Sequence, residues 1–311
     1  MDEKSDANKK NGITEKDGKK SSKRRNLITA GIFGAAFLIC IFWLFRYFIN
    51  TWRADDKIEQ IKEIYVQTME AEEEPEDKMP EPDTTDPRPK EQETVSGNQP
   101  EQDGRVVFSL AGFDAPEKKI DFTALKEENQ DIYAWITIPD TPVDYPILQD
   151  PEDADYYLMH NLDGSYGYPG CIYTQYYNSK DWSDNHTVIY GHNMKDGSMF
   201  AVLHSYKDTE FFAQNPYIYI YAGDGVRVYQ VFAAYETSDA HLLLTNSTDT
   251  KEGFAWYLGS VFGMKDGMGN NFDRTLGIDS SDKIISLETC IGNKPTKRYV
   301  VQAVLVAWEK E

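Results

Sequence analysis

Residues 286–301 read SLETCIGNKPTKRYVV. An apolar run ends at Cys290, a short Gly- and Pro-containing segment follows, and a second apolar run begins at Arg298. Two such runs around a turn segment predict neighbouring strands. If they pair, Lys297 and Arg298 return beside the thiol. A nearby cation favours the thiolate, the reactive form. Free cysteine is also among the most buried residue types, so Cys290 as plain core is the competing reading. Its place at a strand end speaks against that.

The stretch sits in a chain with similar runs on both sides. TPVDYPIL (141–148), GCIYTQYY (170–177), HTVIYGHN (186–193), YIYIYAG (217–223), RVYQVFAAYET (227–237), KIISLETC (283–290) and RYVVQAVLVAW (298–308) are rich in Val, Ile and Tyr and bounded by Gly, Pro, Asn and Asp. YAGDGVRVY (221–229) predicts a hairpin. Asp121 is a plausible N-cap for a helix before the strand ending in YAWITI. Two helical insertions interrupt the strands, GSMFAVLHSYKDTEFFAQN (197–215) and TKEGFAWYLGSVFGM (250–264), the second with Phe254, Leu258 and Val261 on one face. Six to eight short strands make the class mainly β, a closed barrel or a sandwich with peripheral helices.

Upstream, the composition changes three times. Residues 1–26 are polar and lysine-rich, end in KKSSKRRN and read as a disordered tail. Leu27–Phe45 carries no charge, and the apolar run extends to Ile49. That is long enough to cross roughly 30 Å of hydrocarbon at 1.5 Å per residue. A cleaved signal peptide would be shorter and would end in a small-x-small site. A core helix would not be apolar on every side. Residues 27–49 therefore predict a single transmembrane helix. Lys19, Lys20, Lys23, Arg24 and Arg25 precede it, which places the N-terminus in the cytoplasm and the remainder outside the cell. Residues 50–69 have Ile58, Ile61, Ile64 or Tyr65, and Met69 at helical spacing, a juxtamembrane helix. Residues 70–104 hold 13 acidic and 3 basic residues among prolines, half of the chain's net charge of −20. This is an extended acidic linker, and residues 105–311 are the folded domain.

The charge excludes a basic stripe for nucleic acid. Three cysteines, Cys40, Cys171 and Cys290, are too few for a disulfide scaffold, and no zinc or EF-hand spacing occurs. Cys40 falls within the apolar helix. Cys171 falls in a strand, as inert core or as a disulfide partner that would silence Cys290.

A thiol nucleophile usually works with a histidine. His160, His204 and His241 fall in loop, helical and turn-like stretches, where a structural role is favoured. His186 starts a strand and reads as a capping or surface residue. His192, in VIYGHNM (188–194), follows a glycine at the C-terminal end of an apolar strand, where barrels carry functional side chains on a rigid base.

VIYGHNM, SLETC and KRYVV, in that order, resemble the His, TLxTC and Arg motifs of sortases, the membrane-bound cysteine transpeptidases of Gram-positive bacteria. The resemblance covers about residues 105–311. GHNMKDGSMFAVL and the helical stretch between FAAYET and KIISLETC are most similar to class B sortases. Ser286 stands where the family usually has threonine. The resemblance implies a closed eight-stranded β-barrel with peripheral helices. It implies Cys290 as nucleophile, His192 as general acid and base, and Arg298 as the oxyanion and substrate-orienting group, with no metal and no cofactor. Tyr190, Glu288 and Thr289 flank the motif residues as candidate substrate-binding positions. The implied partners are secreted proteins bearing a C-terminal sorting signal and an amine acceptor, a peptidoglycan precursor or a pilin.

Three other readings compete. An L,D-transpeptidase-like enzyme would keep an arginine two residues after its cysteine, where this chain has Gly292. A non-catalytic surface adhesin on one membrane helix would need neither Cys290 nor His192. A papain-like hydrolase would place its cysteine before its histidine, the reverse of the order here.

Overall fold

The computed structural model describes residues 3–68, 110, 112–113 and 115–310. The acidic stretch 70–104 and Met69 lie outside the described residues. The chain divides into two units, Met1–Asp55 and Asp56–Glu311.

Helix α1 runs from Glu3 to Tyr65. Its backbone is helical from Glu3, so the disorder expected for the lysine-rich tail is not observed. Alanine, lysine and glutamate tolerate the helix well, and the tail continues a helix that is already nucleated. Thr29–Ile64 is long and apolar enough to cross a membrane. Phe33, Phe37, Trp43 and Phe45 within it are exposed, unlike the side chains of a core helix.

In the second unit α1 contributes Ile58 and Ile61, both buried, whereas Ile64 is exposed. The helix is followed by strand β1 (Val66–Thr68), antiparallel to β2 (Lys118–Ile120). Helix α2 (Phe122–Glu128) starts at Asp121, whose carboxylate accepts from the Thr123 and Ala124 amides, as the sequence predicts. Then come β3 (Ile132–Thr137), β4 (Asp144–Leu148), α3 (Tyr156–Met159), β5 (Ile172–Thr174) and β6 (His186–Tyr190). The first insertion forms a 3-10 helix (Ala201–Lys207) and α4 (Thr209–Gln214). Strands β7 (Tyr217–Ala222) and β8 (Gly225–Ser238) make the predicted hairpin around Gly223 and Asp224. Helices α5 (Leu242–Thr245) and α6 (Lys251–Phe262) form the second insertion, with a two-residue β9 (Asn271–Phe272) after them. Strands β10 (Ile284–Ile291) and β11 (Lys294–Glu309) close the chain.

The strand order is β11-β10-β6-β5-β4-β3-β7-β8, and β8 pairs back onto β11. Eight strands thus form a closed barrel, with β9 appended to β8. Closure removes the unpaired edges of an open sheet, and it selects the barrel over the sandwich. Two pairs are parallel, β4 with β5 and β6 with β10. A parallel pair needs a long crossover, and the β6–β10 crossover carries α5 and α6.

Period-2 alternation divides the side chains of β6, β10 and β11. Ile189, Ile285, Leu287, Tyr299 and Val301 face inward and pack with Ile136, Ile147 and Ile218. Val188, Ile284, Val300 and Val304 face outward beneath Phe254, Tyr257, Leu258 and Val261 of α6. The helix face predicted from the sequence is therefore the one that covers the barrel. Burying four such side chains contributes on the order of 6–12 kcal/mol before entropy is counted.

Candidate active site

The outward face continues past α6 to the barrel rim. Strands β6 and β10 run parallel with Val188 opposite Ser286 and Tyr190 opposite Glu288. The same offset of 98 residues places His192 level with Cys290. Strand β11 returns antiparallel, with Gln302 opposite Ser286, Val300 opposite Glu288 and Arg298 opposite Cys290. Opposed residues on one sheet face have Cβ atoms about 4.5–5.5 Å apart. Cys290 and Arg298 thus share a rung at the strand ends, and Thr237 of β8 extends it beyond Arg298.

The turn is tighter than the sequence suggested. Ile291 pairs with Lys294, so only Gly292 and Asn293 connect the strands, and Pro295 lies within β11. Lys297 alternates to the other face and approaches Glu236. Of the two returning cations, only Arg298 keeps the face of Cys290.

His192 lies just beyond β6, and its neighbours fix it. The Gly191 amide donates to the Glu288 carbonyl (3.2 Å). The Thr289 hydroxyl donates to the Gly191 carbonyl (2.7 Å). On the other side, Asn193 Nδ2 donates to the Cys290 carbonyl (3.1 Å). A side chain at Gly191 would enter the barrel interior: a Cβ there would lie 2.5 Å from Ile172 Cδ1 and 2.7 Å from Phe200 Cδ2. The glycine lets the strand pass close over the core.

The imidazole lies 2.7 Å through Nε2 from the Leu158 carbonyl. A carbonyl only accepts, so Nε2 carries the proton and Nδ1 is the exchangeable nitrogen. The Tyr168 ring packs on it with centroids 5.0 Å apart. Burial lowers the His192 pKa, and the Leu158 contact opposes that shift.

Cys290 is partly exposed and Cys171 is buried; both are free thiols. Cys171 packs with Tyr157, Leu162 and Tyr173, and burial pushes its pKa up. Inert core is thus the role the structure gives it.

The three candidate groove positions separate. Thr289 is 2% exposed and its hydroxyl is spent on Gly191, so it ties strands together instead of lining a groove. Tyr190 is half-buried, stacked on Tyr173 at 5.4 Å, with a buried hydroxyl that has no hydrogen-bond partner among the described residues. Glu288 is buried, and its Oε1 lies 3.5 Å from Arg298 Nε.

Sequence reasoning missed two neighbours. Asn193 had a local signal, adjacency to His192. His204 had none: the 3-10 helix brings its Nε2 to 3.0 Å from the Cys290 carbonyl. His186 is corrected outright. It is 2% exposed, not a surface cap, and its Nε2 lies 2.7 Å from Ser286 Oγ.

A closed mixed barrel with one half-buried thiol at its rim, level with a histidine and facing an arginine, describes a thiol-dependent acyl-transfer enzyme. The comparisons make that class specific. The sortase-domain family model matches residues 136–306. Sortase B of Listeria monocytogenes is 38% identical over 185 residues, 58% of this chain and 72% of that protein. A Bacillus anthracis structure described as similar to sortase B shares 27% identity at a TM-score of 0.58, covering 84% of this chain and 97% of that one. Bacillus anthracis sortase B in complex with AAEK1 shares 32% identity at a TM-score of 0.54, covering 61% and 85%. The chain belongs to the sortase family, cysteine transpeptidases that act on peptide bonds and anchor surface proteins to the cell wall, and its relatives are of class B.

Proposed function

We propose that Cys290 is the nucleophile, His192 the general acid and base, and Arg298 the group that holds the substrate carbonyl. The observation that supports this is the shared rung: Cys290 opposite Arg298 in β10–β11, with His192 strapped level by Gly191 and Asn193. Backbone pairing supplies the rigid placement that such chemistry needs.

His192 Nδ1 takes the Cys290 proton, and the thiolate attacks a peptide carbonyl of the sorting signal. Arg298 hydrogen-bonds the developing oxyanion. The imidazolium returns its proton to the departing amine as the C–N bond breaks, leaving a thioester on Cys290. An incoming amine, deprotonated by neutral His192, attacks the thioester, and the thiolate leaves. The acceptor is an amine of a peptidoglycan precursor or a pilin. We place the enzyme outside the cell, tethered by residues 27–49 with the N-terminus in the cytoplasm and spaced by residues 70–104. A tether raises its effective concentration near sorting signals emerging through the membrane.

The test is adduct formation on the soluble domain with a thiol-directed sulfonate and with sorting-signal peptides, read by mass. Addition confined to Cys290 and absent in Cys290→Ala is the expected result. Intact peptide and no thioester across LPxTG-, NPxTN- and SPxTG-like sequences would remove the assignment.

A further inference from the structure

Among the outward-facing residues of β10, Glu288 is a buried acid that the mechanism above leaves unused. A carboxylate at 8% exposure needs a counterion. It stands two residues before Cys290, on the same face, and among the described residues its paired cation is Arg298, with Oε1 3.5 Å from Nε. The opposite edge of that guanidinium is also held. Arg298 Nη1 donates to the carbonyls of Pro295 and Lys297, each at 3.0 Å. Among the described residues, Nη2 makes no hydrogen bond to protein.

Arginine is a long side chain on a strand next to a two-residue turn. It keeps one orientation only if its fork is gripped at more than one point. From the geometry we infer that Glu288 is a positioning residue for Arg298: its carboxylate at Nε and two turn carbonyls at Nη1 grip the guanidinium and leave Nη2 to the substrate carbonyl. This inference rests on the sortase reading for its consequence in turnover, but the grip itself is independent of it.

The grip depends on the charge of Glu288. Burial raises its carboxyl pKa to about 7, against the pull of Arg298 and with the push of Asp239. Among the described residues, the other titratable groups coupled to it are Tyr173 of β5, Tyr190 of β6, Tyr235 of β8 and Tyr257 of α6. All four have raised pKa values and stay neutral near pH 7, so Glu288 and Arg298 are the pair whose charge relation changes there. As pH falls through about 7, Glu288 takes a proton and the Nε contact loses its charge.

The experiment uses the soluble domain, wild type and with Glu288→Gln, Glu288→Asp and Glu288→Ala. Three quantities are read: the 15Nε shift of Arg298 against pH, kcat/KM for a sorting-signal peptide against pH, and the rate of Cys290 alkylation by neutral iodoacetamide. In the wild type the Arg298 Nε shift should titrate near pH 7, and in Glu288→Gln it should not. Glu288→Gln should lower kcat/KM about tenfold above pH 7, as expected for one orienting contact, remove the pH-7 component of the profile, and leave alkylation within twofold. Glu288→Asp should recover part of the loss. An Arg298 Nε shift that ignores pH and the Gln substitution overturns the proposal. So does peptide turnover unchanged in all three variants, or alkylation that falls in parallel with turnover. If wild type cleaves no peptide yet Arg298 Nε follows Glu288, the sortase reading fails and the grip stands.

Discussion

Strand β6 carries two histidines six residues apart on the same face, His186 at its start and His192 just past its end. His186 lies level with Ile284 and Val304 and reaches Ser286 one rung on, whereas His192 lies level with Cys290 and Arg298. The difference between them is what covers them. Helix α6 closes over the lower region, where Tyr257 stacks on the His186 ring at 5.1 Å. Ser286 links His186 Nε2 and Gln302 Nε2, and Gln302 also reaches the Tyr257 hydroxyl at 2.6 Å. Burial lowers the His186 pKa to about 3. At the rim His192 touches Leu158 of α3 and Tyr168 yet stays partly exposed, as does Cys290 beside it. The same strands thus give a sealed polar network at one level and a reachable thiol two rungs on. Cover, not residue type, decides which histidine is available for chemistry.

The sharpest way to break this contrast is to delete the rim groups. Cys290→Ala should abolish peptide cleavage and adduct formation, and His192→Ala should cost about 10²–10⁴-fold in kcat/KM. Arg298→Ala should cost about 10²–10³-fold, the range for one oxyanion donor, with Cys290 still alkylated. Cys290→Ala should keep its urea midpoint, whereas Arg298→Ala should lower it by leaving the buried Glu288 carboxylate without its counterion. Equal losses from His186→Gln would mean that the two histidines have been assigned the wrong way round.

Gly191→Ala moves the contrast into the backbone. The new methyl would press on Ile172 and Phe200. The strain should cost about 1–3 kcal/mol and shift the segment that carries His192. Turnover should fall about tenfold or more with the catalytic groups intact, as misplacement of reacting groups implies. Paired measurements of urea midpoint and kcat/KM check it, and an unchanged kcat/KM would show that His192 is not held by this crossing.

His186 gives the next smaller effect, on stability alone. Its folded pKa is depressed to about 3 from 6.5, so the unfolded chain binds the extra proton between those values. Stability from this residue is complete above about pH 6.5 and is lost as pH falls toward 3, at up to about 1.4 kcal/mol per pH unit. Glu288 acts oppositely: its raised pKa weakens the fold as pH rises from about 4.5 to 7. Urea midpoints of His186→Gln between pH 4 and 6.5 should lose the histidine slope relative to wild type. A slope that stays would place the titrating group elsewhere.

This pair of histidines also marks how far the sequence could be read. The strands, the Asp121 cap, the Gly223–Asp224 turn and the apolar face of α6 follow from local patterns, and the structure has them. The order of His192, Cys290 and Arg298 was legible because motif order needs no three-dimensional information. The burial of His186 was not, because α6 reaches it from more than sixty residues downstream. The role of Thr289 was hidden for a related reason. Alternation puts its hydroxyl under Gly191, a residue 98 positions away that only the parallel register brings near. His204 came from a 3-10 turn with no periodic signature.

Ser286 offers the finest cut between the two levels. It lies on the same face as Cys290, four residues before it, and is fully buried between His186 and Gln302. Serine places its hydroxyl against two nitrogens in a fully buried position, where another methyl would have to be accommodated. Ser286→Thr keeps the hydroxyl and adds that methyl, so it should cost about 1 kcal/mol of stability. It should leave kcat/KM within twofold, because β10 is paired on both sides from Ser286 to Glu288 and with β11 on to Cys290. Such a strand resists transmitting a local strain along its length. A turnover loss larger than the stability loss would show that the sealed level and the rim are mechanically one site, and the division drawn between the histidines would have to be abandoned.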